Sequence, residues 1–423
     1  EEPAFPEYEP IVNERHEDYP SDYDYQEQSQ EQLLRQENTR KVFNMAKNSE
    51  TENTLRMNES SGASDIKIKE KPEKNNLKIK IYWFGNSSGM DRTLVEKSGS
   101  ADRFCAIPSG KLRRYFSIKN FFDVFKIIAG IVVSFFRLLF IRPAVVFSKG
   151  GFVSVPPCFA ARILRIPVFT HECDFTPGLA TKINSRFASK ILVSYPETVK
   201  FLPKNKQSLA VVTGNPVRPV FYEADAQKGR KFLFEGKNVD LKKPVLLVLG
   251  GSLGAHQLNE LVVENLAWLT EHFNVVHQCG SKDASFVPAQ TDSYFPYPFI
   301  YEQMPDVIAC ADVILSRAGA NTVWESAVEK KPSVLIPLCG NGTRGDQVDN
   351  ANFFKERGAA FVLTGNEAVF ENLRNCLEKL LDKNERDLMS QKMAELASGK
   401  RASLKIAELI FKSIESTIKI ISV

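Results

Sequence analysis

The sequence predicts an α/β protein built from two doubly wound domains that face each other across a cleft. From Leu77 onward, short apolar runs alternate with helical stretches, and a polar stretch at Glu223–Lys243 separates two such series. Strands that alternate with helices of ten or more residues form parallel sheets. Glycine-rich turns follow strands in both series, and doubly wound sheets bind ligands beyond the carboxyl ends of their strands. We therefore expect the functional site in the crevice between the domains.

The composition excludes several classes of protein. A chain of 423 residues is too long for a mini-protein or a single small binding module. With 43% apolar and 25% charged residues, it is typical of soluble globular proteins rather than of collagen-like, coiled-coil or polytopic membrane chains. Seven cysteines without a CxxC pair indicate neither a zinc site nor a disulfide framework, which fits a reducing cytoplasm.

The charge is distributed unevenly along the chain. The first 30 residues contain ten acidic side chains and one arginine, so the remaining chain is more basic than the net charge of +4 implies. A basic body favours a polyanionic partner such as nucleic acid, an anionic membrane surface or a phosphorylated substrate. Because the chain lacks the aromatic and basic pattern of an RNA-binding sheet, nucleic acid is the least favoured of the three.

The elements divide the chain into four parts. Residues 1–76 are polar and lack periodicity, which predicts disorder. A first domain is expected over 77–215, with strands at Lys78–Phe84, Ala144–Phe147, Pro167–Thr170, Ile191–Ser194 and Leu209–Thr213. A second domain is expected over 216–400, with strands at Val245–Leu249, Asn274–His277, Asp312–Leu315, Ser333–Ile336 and Ala360–Leu363. Residues 401–423 are expected to form a helix that packs back on the first domain.

The segment Ile118–Phe140 departs from this pattern because it is apolar on nearly every helical face. A membrane span needs about 20 largely uncharged residues, whereas Asp123, Lys126 and Arg137 leave an uncharged stretch of only ten. We therefore do not expect a span. Basic residues on and around the segment are typical of a helix that rests on anionic lipid, and a helix buried between two layers is an equal alternative. These basic residues are Lys111, Arg113, Arg114, Lys119, Lys126 and Arg137.

Two glycine turns are candidates for phosphate binding. The strand Val245–Leu249 leads into Gly250–Ala255, where glycine lets the backbone approach a diphosphate and the Ser252 hydroxyl can donate to its oxygens. The second turn, Ser148–Ser154, contains Lys149, whose ammonium group suits a phosphate. The alternatives are an ordinary tight turn for the first loop and a solvated lysine in the second.

Four further segments place polar side chains at strand ends or near the domain boundary. His171, Glu172, Cys173 and Asp174 follow a strand, where a carboxylate could act as general base for a sugar hydroxyl. Equally, His171 and Glu172 could hold neighbouring loops while Asp174 caps the next helix. Near the domain boundary Arg218 can reach the crevice or form an interdomain ion pair, Glu325 in the Ser316–Glu325 segment suits a ribose diol, and Gln347 suits sugar hydroxyls. The chain shows no residue pattern that demands a metal.

These motifs, in this order and spacing, resemble the MurG family of glycosyltransferases. The resemblance runs from about Trp83-Phe84-Gly85 to Asn350-Ala351 in the second domain. Its residues are Gly89-Met90, Gly150-Gly151-Phe152, His171-Glu172, Gly214-Asn215-Pro216-Val217-Arg218, Gly250-Gly251-Ser252, His277-Gln278, Arg317-Ala318-Gly319-Ala320, Gln347 and Asn350-Ala351.

The resemblance implies a GT-B fold of two Rossmann-like domains. It also implies transfer of N-acetylglucosamine from UDP-GlcNAc to the 4-hydroxyl of lipid I with inversion and without a cofactor, at the cytoplasmic face of the plasma membrane. The second domain would hold the nucleotide sugar, and the first would hold the acceptor and an anionic membrane surface through Ile118–Phe140. Donor contacts would be Asp174, Arg218, Gly251, Ser252, Ile300, Tyr301, Ala320, Asn321, Thr322, Val323, Trp324, Glu325 and Gln347. Glu172 and Asp174 would be the base or position the acceptor, and Lys149, Gly150, Gly151 and Phe152 would meet the acceptor diphosphate.

Three features depart from the family pattern. The family begins with a strand and a GGTGGH-type loop that belongs to its active site, and nothing similar precedes Leu77. Either the chain begins after that loop or it is a degenerate, inactive relative. Asp174 stands where many members have Asn, and Phe152 where Tyr is common. A transferase that acts on another lipid such as diacylglycerol, and a scaffold that binds a nucleotide sugar without chemistry, remain alternatives.

Overall fold

The computed structural model describes six stretches of the chain. The prediction of disorder for residues 1–76 lies outside them. The described residues are 79–86, 91–110, 118–250, 255–340, 343–399 and 401–421.

The first domain contains two parallel sheets. One is a pair, β1 and β2, and the other has the order β3-β4-β5-β6. The strands are β1 (Tyr82–Asn86), β2 (Arg103–Ile107), β3 (Val146–Ser148), β4 (Val168–Glu172), β5 (Lys190–Val193) and β6 (Ala210–Val212). The helices are α1 (Asp91–Ser98), α2 (Ile118–Ile141), α3 (Val155–Ile163) and α4 (Leu179–Asn184).

The second domain is one parallel sheet of six strands, with the order β12-β11-β10-β7-β8-β9. The strands are β7 (Val245–Leu249), β8 (Asn274–Gln278), β9 (Tyr294–Tyr297), β10 (Val313–Ser316), β11 (Ser333–Leu335) and β12 (Ala360–Val362). The helices are α5 (Ala226–Phe234), α6 (His256–Glu264), α7 (Leu266–His272), α8 (Met304–Cys310), α9 (Ala320–Val328), α10 (Asp346–Lys355), α11 (Phe370–Lys379) and α12 (Lys383–Leu396).

Apolar strands explain why this sheet lies between two helical layers. All five residues of β7 are buried, because a parallel sheet covered on both faces needs apolar side chains on each. Leu247 packs into one core with Val276 and Ile314, whereas Leu246 and Val248 pack into a second core on the opposite face. The sheet therefore separates two cores of the same domain.

The predicted two-domain α/β architecture is confirmed. Two strands were missed: β2 begins with exposed Arg103, and β9 contains Pro296, a residue that is depleted in strands. The expectation of helices of ten or more residues was wrong for much of the chain. For example, α8 has seven residues and α9 has nine.

The helix α13 (Ala402–Ile421) lies against the first domain. Its Ile406 and Ile410 pack with Phe169 of β4 and Leu192 of β5. Its Lys405 donates a hydrogen bond to the carbonyl of Val212 at 2.6 Å. The last described helix thus covers a face of the four-stranded sheet of the first domain, although it follows the second domain in the chain.

The apolar helix α2 packs on the domain along one face only. Ser134 and Leu138 are buried, and a side chain at Gly130 would collide with the carbonyl oxygen of Pro108. By length and composition, Asp123–Ile141 is apolar enough to cross a membrane, which we did not expect from its charges, and only 17% of that stretch is buried. The alternative of a helix buried between two layers is therefore wrong. The exposed apolar side chains are Val124, Phe125, Ile128, Val132, Phe136, Leu139 and Phe140.

Candidate active site in the interdomain cleft

The carboxyl ends of β7 and β10 form the centre of the candidate site. These strands are neighbours in the sheet, and Leu249 is paired with Ser316, so the loops that follow them leave the sheet side by side. Between these two strands the chain reverses its direction of winding, which is where doubly wound sheets bind ligands. The predicted contacts Gly251 and Ser252 follow β7 but lie outside the described residues.

The loop after β10 leads into the N-terminus of α9. Gly319 is the N-cap, so the first amide groups of the helix have no partner within the helix and can donate to an anion. Among the predicted contacts in this helix, Ala320, Val323 and Trp324 have buried side chains. These three residues can reach a ligand only through their main chain, whereas Asn321, Thr322 and Glu325 are partly exposed.

Arg218 and Glu325, both predicted to contact the nucleotide, are brought together by the structure. Arg218 Nε lies 3.4 Å from Glu325 Oε1, and each side chain is 17% exposed. The guanidinium carbon of Arg218 also lies 4.7 Å from the ring centre of Phe221. The ion pair joins the segment after the domain boundary to the first turns of α9.

Ile300 and Gln347, which were also predicted to contact the nucleotide sugar, use part of their hydrogen-bonding capacity inside the protein. The Ile300 amide donates to Gln278 Oε1 at 2.9 Å, so this amide is engaged. Tyr301 is exposed. The Gln347 side chain accepts a hydrogen bond from the Leu338 amide through Oε1 at 2.9 Å, which orients its amide nitrogen as a donor.

On the first domain, the glycine turn after β3 requires glycine. Gly150 and Gly151 adopt φ angles of 89° and 79°, which side chains disfavour. Lys149 Nζ lies 3.4 Å from His171 Nδ1, and His171 Nε2 lies 3.2 Å from the Gly214 carbonyl oxygen. Because the ammonium can only donate and the carbonyl can only accept, His171 is neutral with its proton on Nε2.

Glu172 is a buried carboxylate that shapes the loop after β4. Its Oε1 accepts from the Asp174 amide at 3.1 Å and its Oε2 from the Gly178 amide at 3.0 Å. Burial, followed by the neighbouring charge of Asp174, raises the pKa of Glu172. The loop-holding contacts that we considered as an alternative for His171 and Glu172 are thus present.

Asp174 faces the second domain. Its Oδ2 accepts from Arg344 Nη2 at 2.6 Å, and its Oδ1 accepts from Asn350 Nδ2 at 3.2 Å. The expectation that Asp174 caps the following helix was wrong, because Gly178 is the N-cap of α4. The residue instead bridges the cleft.

The sequence did not predict that several residues of the second domain contact the loop after β4. Asn350 also accepts from the Phe175 amide at 2.8 Å, and Asp349 Oδ2 accepts from Thr176 Oγ1 at 2.5 Å. Arg344, Asp349 and Asn350 belong to the polar segment 341–350 after β11. Its composition indicated a loop near the site, but not which loop it would meet.

An aromatic layer lies behind these polar contacts and joins the domains. Trp324 Nε1 donates to the Tyr195 hydroxyl at 3.0 Å, and the rings of Tyr195 and Phe353 are 4.6 Å apart. Phe175 packs against both Tyr195 and Phe353. No cluster of three or more potential metal ligands occurs among the described residues.

Both domains match described families. Residues 70–193 match the glycosyltransferase family 28 N-terminal domain, and residues 245–409 match the glycosyltransferase family 28 C-terminal domain. A crystal structure of MurG from Acinetobacter baumannii has a TM-score of 0.60 and 27% identity to this chain. The match covers 79% of this chain and 91% of that one.

Two relatives are similar over most of the chain. A protein of Treponema denticola is 49% identical over 357 residues, which cover 79% of this chain and 90% of the relative. A protein of Clostridium perfringens is 40% identical over 328 residues, which cover 78% of this chain and 89% of the relative. Both are named UDP-N-acetylglucosamine–N-acetylmuramyl-(pentapeptide) pyrophosphoryl-undecaprenol N-acetylglucosamine transferase.

Proposed function

We propose that this chain, which belongs to the MurG family of glycosyltransferases, transfers N-acetylglucosamine from UDP-GlcNAc to lipid I and so forms lipid II. Lipid I is N-acetylmuramyl-pentapeptide linked through pyrophosphate to undecaprenol. The observation that carries the proposal is the 49% identity to a named transferase over most of both chains. The convergence of strand ends from both domains on one cleft supports it.

The second domain, over 216–400, holds the donor. The first main-chain amides of α9, which have no partner within the helix, suit the diphosphate, and the partial positive charge of a helix N-terminus stabilises the departing UDP. Arg218 and Glu325 contact the nucleotide, with Glu325 accepting from the ribose diol. Since the Ile300 amide is hydrogen-bonded to Gln278, Ile300 contacts the nucleobase of the donor through its carbonyl. Gln347 donates to a sugar hydroxyl.

The first domain, over 77–215, holds the acceptor and supplies the carboxylates. Lys149 and the glycine turn Gly150–Gly151 meet the acceptor diphosphate. The acceptor's 4-hydroxyl attacks C1 of GlcNAc in line with the bond to UDP, and inversion follows from this single displacement. Glu172 accepts the hydroxyl proton, and burial raises its pKa, which makes the carboxylate a stronger base, while Asp174 orients the acceptor.

The helix α2 anchors the enzyme on the cytoplasmic face of the plasma membrane. Its exposed apolar face would enter the lipid boundary, and Lys126 and Arg137 would meet anionic head groups. The buried face of the same helix packs on the domain, which favours a helix that lies in the membrane surface. The acceptor's lipid tail would then remain in the bilayer while its sugar enters the cleft.

The test is transfer of labelled GlcNAc from UDP-GlcNAc to a lipid I analogue in anionic vesicles. Diacylglycerol serves as the second acceptor, and calorimetry measures UDP-GlcNAc binding in parallel. Transfer to the lipid I analogue is the expected result. Transfer to diacylglycerol alone would contradict the acceptor assignment, and donor binding without transfer to either acceptor would contradict the proposed activity.

A further inference from the structure

Arg344 lies at the meeting point of the donor and acceptor sides of the cleft. It precedes α10 by two residues, and the second residue of that helix is Gln347, the proposed contact of the donor sugar. Its Nη2 atom donates to Asp174 Oδ2 of the first domain at 2.6 Å and to Oδ2 of Asp346, the first residue of α10, at 2.7 Å. One nitrogen thus joins carboxylates from the two sides of the cleft.

The loop after β4 makes room for this guanidinium. A side chain at Gly178 would place its Cβ 2.5 Å from Arg344 Nη1 and 3.9 Å from Glu172 Oε2. The amide of Gly178 also donates to Glu172. Arg344 therefore packs against the same short backbone stretch that orients the buried carboxylate.

The charges of this cluster require a cation between them. Asp174 and Asp346 approach the same guanidinium nitrogen, and Glu172 lies next to Asp174 along the loop. Burial by itself lowers the pKa of Arg344, but the hydrogen bonds and charges of Asp346 and Asp174 raise it overall, so the residue remains a cation. Without that cation, carboxylates from both sides of the cleft would repel each other.

We propose that Arg344 is a positioning residue for the transfer reaction. By bonding Asp174 across the cleft, it sets the start of α10, which carries Gln347, against the end of β4 and the following loop, which carry Glu172 and Asp174. Donor sugar and acceptor are then aligned for in-line attack only when this bridge is made. The inference rests on the proposed function, and Arg344 acts through Asp174 rather than through contact with either substrate.

The chain offers a matched control for this role. Arg357 also forms an ion pair between the domains, with its Nη2 atom 2.6 Å from Glu197 Oε1. Its side chain is 33% exposed, compared with 34% for Arg344. Arg357 follows the C-terminal end of α10, where it also contacts Phe353, and its ion pair involves neither Glu172, Asp174 nor Gln347. It therefore reports what loss of a similar interdomain ion pair costs away from the proposed reacting groups.

The test compares Arg344→Met, Arg344→Lys and Arg357→Met in the transfer assay on vesicles, with UDP-GlcNAc affinity measured by calorimetry. We expect Arg344→Met to lower kcat about 100-fold, because small misplacements of reacting groups have effects of that size. Its affinity for UDP-GlcNAc should stay within about twofold of the original protein. Arg344→Lys should keep most of the activity, because a single nitrogen makes both ion pairs. Equal kcat losses in Arg344→Met and Arg357→Met would overturn the proposal.

A double-variant cycle separates positioning from direct substrate contact. If Arg344 acts through Asp174, Arg344→Met should have little further effect in a protein that already carries Asp174→Asn. We expect the kcat of the double variant to lie within about twofold of the kcat of Asp174→Asn. Independent, multiplying losses, or a parallel loss of UDP-GlcNAc affinity, would show instead that Arg344 meets a substrate directly.

Thermal unfolding of the original protein, the two single variants and the double variant measures the same coupling without transfer. Non-additive changes in melting temperature are expected from an ion pair that exists in solution. Additive changes would overturn the proposal even in an active enzyme. If the original protein transfers no GlcNAc, the proposed function fails, while this cycle still decides whether the bridge exists.

Discussion

The hydrogen-bond partners of Glu172 and His171 limit the chemistry that each side chain can perform. Glu172 accepts hydrogen bonds from two main-chain amides and from the Thr181 side chain, and these three bonds fix its position. Both ring nitrogens of His171 are engaged inside the protein, by Lys149 and by the Gly214 carbonyl, which favours Glu172 over His171 as the proposed base. These assignments separate two neighbours in the sequence that looked equally suited to acid–base chemistry.

The substitution Glu172→Gln tests proton acceptance. We expect kcat to fall about 100-fold to 1,000-fold, in the range of general-base contributions, because an amide cannot take the proton. Donor affinity should be unchanged, since Glu172 belongs to the acceptor side. Gln207→Ala, in the same domain but away from the cleft, is the control. Kinetics and calorimetry measure both effects, and a Glu172→Gln enzyme with full kcat would exclude this residue as the base.

Buried His277 predicts a pH dependence of stability. Its Nε2 lies 2.9 Å from Asn259 Oδ1 and its Nδ1 lies 2.9 Å from the Tyr294 hydroxyl, and burial lowers its pKa from 6.5 to about 4. The unfolded chain therefore binds this proton more readily than the folded protein. The stabilisation is complete above pH 6.5 and is lost as the pH falls towards 4, with a limit of about 3 kcal/mol.

Urea unfolding between pH 4 and pH 7.5 measures this dependence. His277→Gln should reduce the slope of unfolding free energy against pH in that interval, whereas the control His272→Gln should keep it. Parallel slopes for the original protein and His277→Gln would contradict the assignment.

Among the elements, α2 differs most from an ordinary helix of a soluble domain. Its Phe140 is 82% exposed, and the exposed apolar residues recur along one side while Ser134 and Leu138 pack inward. A helix with a large continuous apolar face is unexpected on a surface that meets only water, because such patches mark interaction sites.

Replacing two of these side chains tests the membrane role. Phe136→Glu with Phe140→Glu should reduce binding to anionic vesicles at least about tenfold, because each change removes apolar area and adds a charge that anionic lipid repels. Phe370→Glu, at an exposed phenylalanine of the second domain, is the control. Sedimentation with vesicles measures binding, and equal binding by both variants would exclude α2 as the contact.

Comparison of elements also shows what the sequence could predict. Continuous apolar runs located β7 and β10 within one residue, because a buried strand has no polar face. The short strand β9 was missed because Pro296 obscures it. Arg344 could not be paired with Asp174 from the sequence, since 170 positions separate them and only the tertiary structure brings the loops together.

At the scale of the whole molecule, the two domains are joined by a buried aromatic layer as well as by polar bridges. Tyr195 of the first domain contacts Trp324 and Phe353 of the second, and its hydroxyl accepts the indole hydrogen bond. Rings packed in this way contribute through buried area and through edge-to-face contacts. Unfolding of one domain should therefore be coupled to unfolding of the other.

The substitution Tyr195→Phe tests that coupling. It keeps the ring but leaves the Trp324 indole hydrogen without its acceptor, which should cost about 1–3 kcal/mol. Calorimetric unfolding should show a lower melting temperature and a broader or split transition. Tyr301→Phe, at an exposed position, is the control. An unchanged transition in Tyr195→Phe would show that the indole hydrogen bond contributes little to the coupling between the two domains.

The hydrogen bond between His171 and Gly214 has a mechanical consequence. Gly214 has a φ angle of 83° and lies at the point where the chain leaves the first domain, so rotation of the second domain about this residue turns its carbonyl. The imidazole, which also contacts Lys149, must then either follow the carbonyl or lose it. Rotation about Gly214 would therefore either pull on the glycine turn after β3 or break the hydrogen bond between His171 and Gly214.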